Sequence, residues 1–378
     1  MTTFTYLEPL TEGHCTFWAK MVLGAAVKDE RFQTVRAIVG PEMAKRLDAF
    51  TKEIGASLEI IPTEQHAEMT SGSLFSRGRA QWRAARQAAE QGPVFLPFFD
   101  HAVVAAAMDP TPLPYGQRVS GIIFRPPNHF GLPGSLGGSL DSVRRWVTYA
   151  LARRVCRGAL LTLDEVAPTS RAGQTTKALE FVADPAPNFD LISMEPEIRE
   201  NGRKIVLVFG ALTERKGIFQ TLDAWKLLGE DGRNKFILRF VGRLGADERA
   251  RFMEKLATLR TETNAIIEIE DRFVTDEELA CEVQHAAIIL APYQNHVGSS
   301  GVLHWAVAGK RPLIAQNTGL IGFQVDRYKL GLAVDCTNPQ VLSRAISEWV
   351  PSISDPAFEA SHTSNAFTGK ILDTVLGV

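Results

Sequence analysis

The chain is short of most features that announce a ligand or a chemistry. It has four cysteines in 378 residues, Cys15, Cys156, Cys281 and Cys336, and no C-x-x-C pair. That spacing excludes a zinc ribbon and a disulfide framework, and it fits a reducing compartment. No apolar run reaches the roughly 18 residues of a membrane span. Neither sign of charge dominates: the net charge is −2, which argues against a dedicated nucleic-acid binder with a basic face. G-x-G-x-x-G after a strand, G-x-x-x-x-G-K-[ST] and G-x-S-x-G are all missing. Dinucleotide oxidoreductase, P-loop and α/β-hydrolase readings are weakened accordingly. The first residues, MTTFTYLEPLTEGH, hold no basic region followed by an apolar core. A cytoplasmic protein is therefore expected, or one peripheral at the inner face of a membrane.

What remains is an ordinary globular composition, 45% hydrophobic and 22% charged, in a chain longer than one core usually serves. Apolar β-rich runs alternate with helical-period runs from end to end, which predicts an α/β protein with parallel sheets. In the first half strands are expected near Thr34–Val39, Leu58–Ile61, Val94–Phe98, Val119–Phe124 and Ala159–Leu163. In the second they fall near Ile205–Phe209, Phe236–Val241, Ala265–Ile269, Ala287–Ala291, Pro312–Ala315 and Leu332–Val334. The proline-rich segment Ala183–Asn188 reads as a stiff connector. It divides the chain into doubly wound domains at 1–183 and 189–355, with a last amphipathic segment at 356–378 that packs back on the first. Ligands of such pairs are expected in the interdomain cleft, at the carboxyl ends of both sheets.

The most informative stretch is Ile288–Gly322, IILAPYQNHVGSSGVLHWAVAGKRPLIAQNTGLIG. A buried strand enters a small polar turn, Ser299-Ser300-Gly301, and then a helix beginning near Val302. Backbone N–H groups and the helix dipole converge there on an anion. A second strand-to-helix loop, Gly210 to Gly217, carries Arg215 and Lys216, which suit a diphosphate as a planar fork and a point charge. His296 and His304 flank the anion turn and are candidates to bond a ligand hydroxyl or phosphate. No carboxylate, cysteine or third histidine stands near them at useful spacing, so metal ligation is not expected. Gly319, in the loop after the next strand, lets backbone approach a ligand. In the first domain Gly13-His14, Asp100-His101 and Arg125 with Asn128-His129 all fall after strands, on the same expected edge. Asp100 also reads as a helix cap.

One feature lies apart. Between Met69 and Arg171 there are twelve arginines and six acidic residues. Arg77, Arg79, Arg83 and Arg86, then Arg144, Arg145, Arg153, Arg154 and Arg157, share two helices with Trp82, Trp146 and Tyr149. The pattern suits anionic headgroups or an anionic acceptor, and equally a solvated basic face.

Together these residues resemble the retaining glycosyltransferases of the GT-B fold, family 4, over about Lys204–Ser347. The marks are the strand-Gly-x-x-x-x-Arg-Lys-Gly loop, the Asp276-Glu277-Glu278-Leu279 helix start, the Ala-Pro-Tyr strand end and the GSSGVL block. The resemblance implies two Rossmann-like domains and a nucleotide-diphosphate sugar as co-substrate, with no cofactor and no metal. Arg215 and Lys216, with the backbone of Ser300, Gly301 and Val302, would hold the diphosphate. The acceptor is a glycan, a lipid-linked sugar or a small molecule, and no nucleic acid is involved. His296, His101 and His129 are the remaining catalytic candidates. Gly13, His14, Gly210, Ser299, His304 and Gly319 complete the donor site. The family places two glutamates at this block, one for the donor sugar and one for the ribose; the aligned positions here are His296 and His304. Two alternatives stay open: an epimerase or phosphorylase of the same fold, and a nucleotide-sugar-binding protein without catalysis.

Overall fold

The computed structural model describes residues 2–11, 15–127, 138–187, 202–349 and 356–378. The chain splits into two compact units, each built on its own parallel sheet. The first sheet contains β1 (Thr3–Glu8), β2 (Thr34–Val39), β3 (Ser57–Ile60), β4 (Val94–Phe98), β5 (Val119–Ile123), β6 (Leu160–Thr162) and β7 (Leu179–Phe181). Their spatial order is β3-β2-β1-β4-β5-β6-β7. The second contains β8 (Lys204–Phe209), β9 (Phe236–Val241), β10 (Ile267–Glu270), β11 (Ala286–Ala291), β12 (Leu313–Gln316) and β13 (Gly331–Val334). Its order is β10-β9-β8-β11-β12-β13. Both are the doubly wound order of a Rossmann-like domain.

The strand sequences explain the layering. In β8, KIVLVF, Ile205, Leu207 and Phe209 join one apolar cluster while Val206 and Val208 join the other. Residues of period two thus bury both faces, because helices cover both sides of the sheet. Each such side chain removed from water contributes about 1.5–3 kcal/mol. In the first sheet Phe4 and Tyr6 face the cluster that includes Trp18, and Leu7 faces the one that includes Trp82.

Winding order also fixes where a ligand edge lies. From β8 the chain moves outward through β9 and β10, then returns to β11 on the other side of β8. The loops after β8 and β11 therefore leave the sheet in opposite directions and open a crevice at their carboxyl ends. β1 and β4 repeat the arrangement in the first unit.

The structure departs from the sequence reading in several places. β1 and β7 are strands the reading does not contain, and β1 lies inside its sheet. The C-terminal stretch is divided: the helix Pro356–Ser361 falls in the second unit and the helix Ser364–Leu376 in the first. There Phe367, Ile371, Leu372 and Val375 are buried beside Trp18 and Leu23. Trp82, Trp146 and Tyr149 are 4%, 5% and 4% exposed. These aromatics belong to the core and not to a headgroup-binding face. Asp100 caps no helix; its carboxylate accepts the Phe124 N–H at 2.8 Å and the Arg125 N–H at 3.3 Å. No described helix is long and apolar enough to cross a membrane.

Candidate functional site

The crevice of the second sheet gathers most of the polar residues singled out above. After β8 the chain turns at Gly210, with φ at +101°, runs through a 3-10 turn at Glu214–Lys216 and enters the helix Ile218–Leu227 at Gly217, with φ at +73°. After β11 it runs through Pro292 to Ser300 and enters the helix Gly301–Ala308. The two loops are stitched together, since the Gln294 N–H donates to the Arg215 carbonyl at 2.8 Å. At Gly217 the packing requires glycine: a Cβ there would stand 2.0 Å from the Pro292 carbonyl oxygen.

Lys216 is 8% exposed, and its ammonium lies across Gly210. Nζ donates to the Tyr293 hydroxyl at 2.6 Å and sits 4.6 Å from that ring's centre. The phenol and the Ser300 hydroxyl are 2.6 Å apart. Ser300 Oγ also accepts the Val302 N–H at 3.2 Å and so caps the helix. The buried phenol accepts from Lys216, so its own proton goes to Ser300 Oγ. The Ser300 proton, the remaining ammonium protons and the Gly301 N–H are then left for an anion. The ammonium is set on a phenol and not on a carboxylate, so among the described residues no protein anion competes with such a ligand for it.

Arg215 is exposed and lies 5.6 Å above the same Tyr293 ring. Its Nη1 is 3.2 Å from His296 Nδ1, and His296 Nε2 is 2.9 Å from the Ser299 carbonyl. A guanidinium only donates and a carbonyl only accepts, so His296 Nδ1 accepts from Arg215 and Nε2 donates to the Ser299 carbonyl. His296 stacks on Tyr293 at 4.8 Å. It orients Arg215 more directly than it faces a ligand. Gly319 supports that loop from behind, because a Cβ there would meet the His296 carbonyl at 2.6 Å.

Gly210, Arg215, Lys216, His296, Ser299, Ser300, Gly301, Val302 and Gly319 are thus brought to one edge. His304 is not. It is 3% exposed, 3.5 Å from Asp184, and ringed by Phe358 and His362 at centroid distances of 5.5 and 5.1 Å. Beside it the Ala186 N–H donates to the His362 carbonyl at 2.8 Å. In the first unit His101 is half-buried, 3.4 Å from Gln81, and its imidazole is pushed below its ordinary pKa by burial and then by Arg77. Gly13, His14 and His129 lie outside the described residues. Among the described residues, no group of three or more histidine, cysteine or acidic side chains is placed to hold a metal ion.

Two residues escape the sequence reading. Tyr293 appears there as part of a strand end, yet it joins Lys216 to Ser300. Glu8, fully buried at the carboxyl end of β1, has its pKa pushed up to about 8 by burial, against the Leu10 N–H and the Cys15 thiol. Its signal is a lone acid at the end of an otherwise apolar β stretch.

Residues 192–357 match the family model described as glycosyl transferases group 1. The second unit is a group 1 glycosyltransferase domain. The chain as a whole has the fold of GT-B glycosyltransferases. No curated protein matches its sequence. Anabaena Alr3699/HepE, crystallised with UDP, is similar over 100% of both chains at a TM-score of 0.69 and 12% identity. A UDP-forming α,α-trehalose-phosphate synthase from Burkholderia vietnamiensis follows at 0.63 and 10%, again over 100% of both chains. WaaG, a glycosyltransferase involved in lipopolysaccharide biosynthesis, is similar at 0.61 and 13% over 100% of both chains. At such identities the likeness to these structures shows the fold. The acidic mark of the glycosyltransferase domain, Asp276-Glu277-Glu278, proves to be a helix start. Thr275 and Glu278 form a reciprocal capping box. The Glu278 carboxyl is pulled down to about 2 by Arg272 first and the Thr275 N–H second.

Proposed function

We propose that this glycosyltransferase moves a sugar from a nucleotide-diphosphate sugar to an acceptor hydroxyl, with retention of configuration and without a metal. The observation that carries the reading is the Lys216–Tyr293–Ser300 chain at the N-terminus of the helix Gly301–Ala308, with Arg215 beside it. As the bond from the anomeric carbon to the diphosphate breaks, negative charge grows on the leaving oxygen. Lys216, Arg215, the Ser300 hydroxyl and the Gly301 N–H stand where fixed donors would meet that charge. The acceptor oxygen bonds the anomeric carbon from the same face, and its proton passes to the departing phosphate. Two cations and a helix N-terminus supply the countercharge that a divalent ion supplies elsewhere. His296 acts as a positioning residue for Arg215.

The solved structures of Anabaena HepE with UDP-glucose make a uridine nucleotide the first probe. Thermal shift against a panel of nucleotide-diphosphate sugars should reveal a donor by raising Tm. Lys216→Ala removes a charge-assisted contact of about 1.5–3 kcal/mol, so transfer should fall by roughly 10- to 150-fold. Tm without donor should change little. Activity should persist in EDTA, and NMR of the product should show the donor's anomeric configuration. Full activity in Lys216→Ala would sink the assignment. Turnover with no acceptor present would favour the epimerase or phosphorylase reading, and binding without turnover the non-catalytic one.

A further inference from the structure

The helix Gly138–Cys156 of the first unit presents two apolar stripes instead of one. Trp146, Tyr149, Ala152 and Cys156 face the core and are at most 5% exposed. On the opposite side Leu140, Val143, Val147 and Leu151 recur at helical spacing and are 81%, 61%, 53% and 42% exposed. A surface helix ordinarily turns charge to that side. Single exposed apolar residues are commonplace, but an ordered stripe of four is a contact surface. The layer continues it, with Met108 at 67% and Phe75 at 48% on neighbouring helices that share its core cluster.

The charge around the stripe narrows the choice of partner. Arg144 and Arg154 fall on the outward face among the apolar residues, at helical offsets that place them between Val143, Val147 and Leu151. The helix holds four arginines against one acid, Asp141. That carboxylate is already held by Arg144 at 2.6 Å and Arg145 at 2.7 Å. Arg79 extends the basic rim over the Phe75 ring, 5.9 Å away. From Met69 to Arg171 every Lys or Arg is an arginine, the side chain whose planar fork matches phosphate. A second copy of the chain set symmetrically on this face would oppose one arginine row to another, which costs energy. An anionic bilayer offers an acyl boundary for the stripe and phosphates for the rim.

We propose that this face docks the protein on an anionic lipid surface, with Leu140, Val143, Val147 and Leu151 at the acyl boundary. Arg144 and Arg154 lie along the apolar surface and reach headgroup phosphates. The surface is separate from the Lys216 site, so its test needs no turnover. The full chain is floated with phosphatidylcholine vesicles, with and without phosphatidylglycerol, at low and high salt. Binding should require phosphatidylglycerol and weaken with salt. Val147→Asp should lower binding about tenfold or more, since it places an acid within the apolar stripe. Arg154→Ala should lower it about fivefold, on the anionic vesicles only. Both positions are exposed, so unchanged melting should show that each variant folds. Failure of the wild-type chain to float with anionic vesicles would overturn the proposal, as would wild-type binding by Val147→Asp. A dimer in ultracentrifugation that Val147→Asp dissociates would assign the stripe to a second copy and also overturn it.

Discussion

A single carboxyl illustrates how burial decides chemistry at the scale of one residue. Glu8 ends a strand whose neighbours are apolar, and among the described residues nothing cationic meets it. Its pKa rises from 4.5 to about 8. Between those values the folded chain keeps a proton that the unfolded chain has lost, so stability falls as pH rises through the interval. The contribution is complete below pH 4.5 and is lost by about pH 8. Glu8→Gln holds the neutral form at every pH and still accepts the Leu10 N–H. It should flatten the fall by up to about 1.4 kcal/mol per pH unit, read as Tm against pH. Residues of this kind are hard to read from sequence, because spacing says nothing of which groups lie opposite. Lys216 and Arg215 are legible as a basic pair in a loop. Tyr293, which holds Lys216, lies far along the chain on another loop, and its phenol gains meaning only when β8 and β11 pair. His304 shows the converse: it stands near the anion turn in sequence, yet its place on the helix carries it away to Asp184.

Among elements, legibility follows burial on two faces. β8, β9 and β11 read as strands because parallel strands covered on both sides are continuous apolar runs. β1 does not, although it lies inside its sheet, paired with β2 on one side and β4 on the other. TFTYLE alternates threonine with aromatics and ends in an acid, which imitates an edge strand or a turn. β7, with three residues, gives too short a pattern to register. The loops are where geometry is tightest, and two glycines with nearly equal φ separate the two reasons for glycine. Gly55, at +76°, has open space around it; Gly217, at +73°, has the Pro292 carbonyl where a Cβ would lie. Gly55→Ala should cost about 1 kcal/mol from conformation alone. Gly217→Ala should cost more, about 1–3 kcal/mol, and pry apart the loops that hold Arg215 and Tyr293. Melting temperature and donor affinity measured on both variants would separate the effects: only Gly217→Ala should lose donor binding.

The whole molecule is two similar sheets on one chain, and the path between them is informative. The first unit is interrupted by the second and resumes at Thr363, where a last helix returns to cover Trp18. Asp184 and His362, where the described part of the second unit begins and ends, both border His304, and Ala186 is bonded to His362. The second unit is therefore a closed insert: its entrance and exit share one buried cluster, so it resembles a cassette spliced into a host fold. Two consequences follow for engineering. Residues 184–362 produced alone should unfold cooperatively in a thermal melt, as a body with its own core. The host should tolerate a short flexible join from Ala183 to Thr363 in the insert's place, because the gap to be bridged is already small. With the donor held as proposed, exchanging such a cassette for a homologous one should carry donor choice with it.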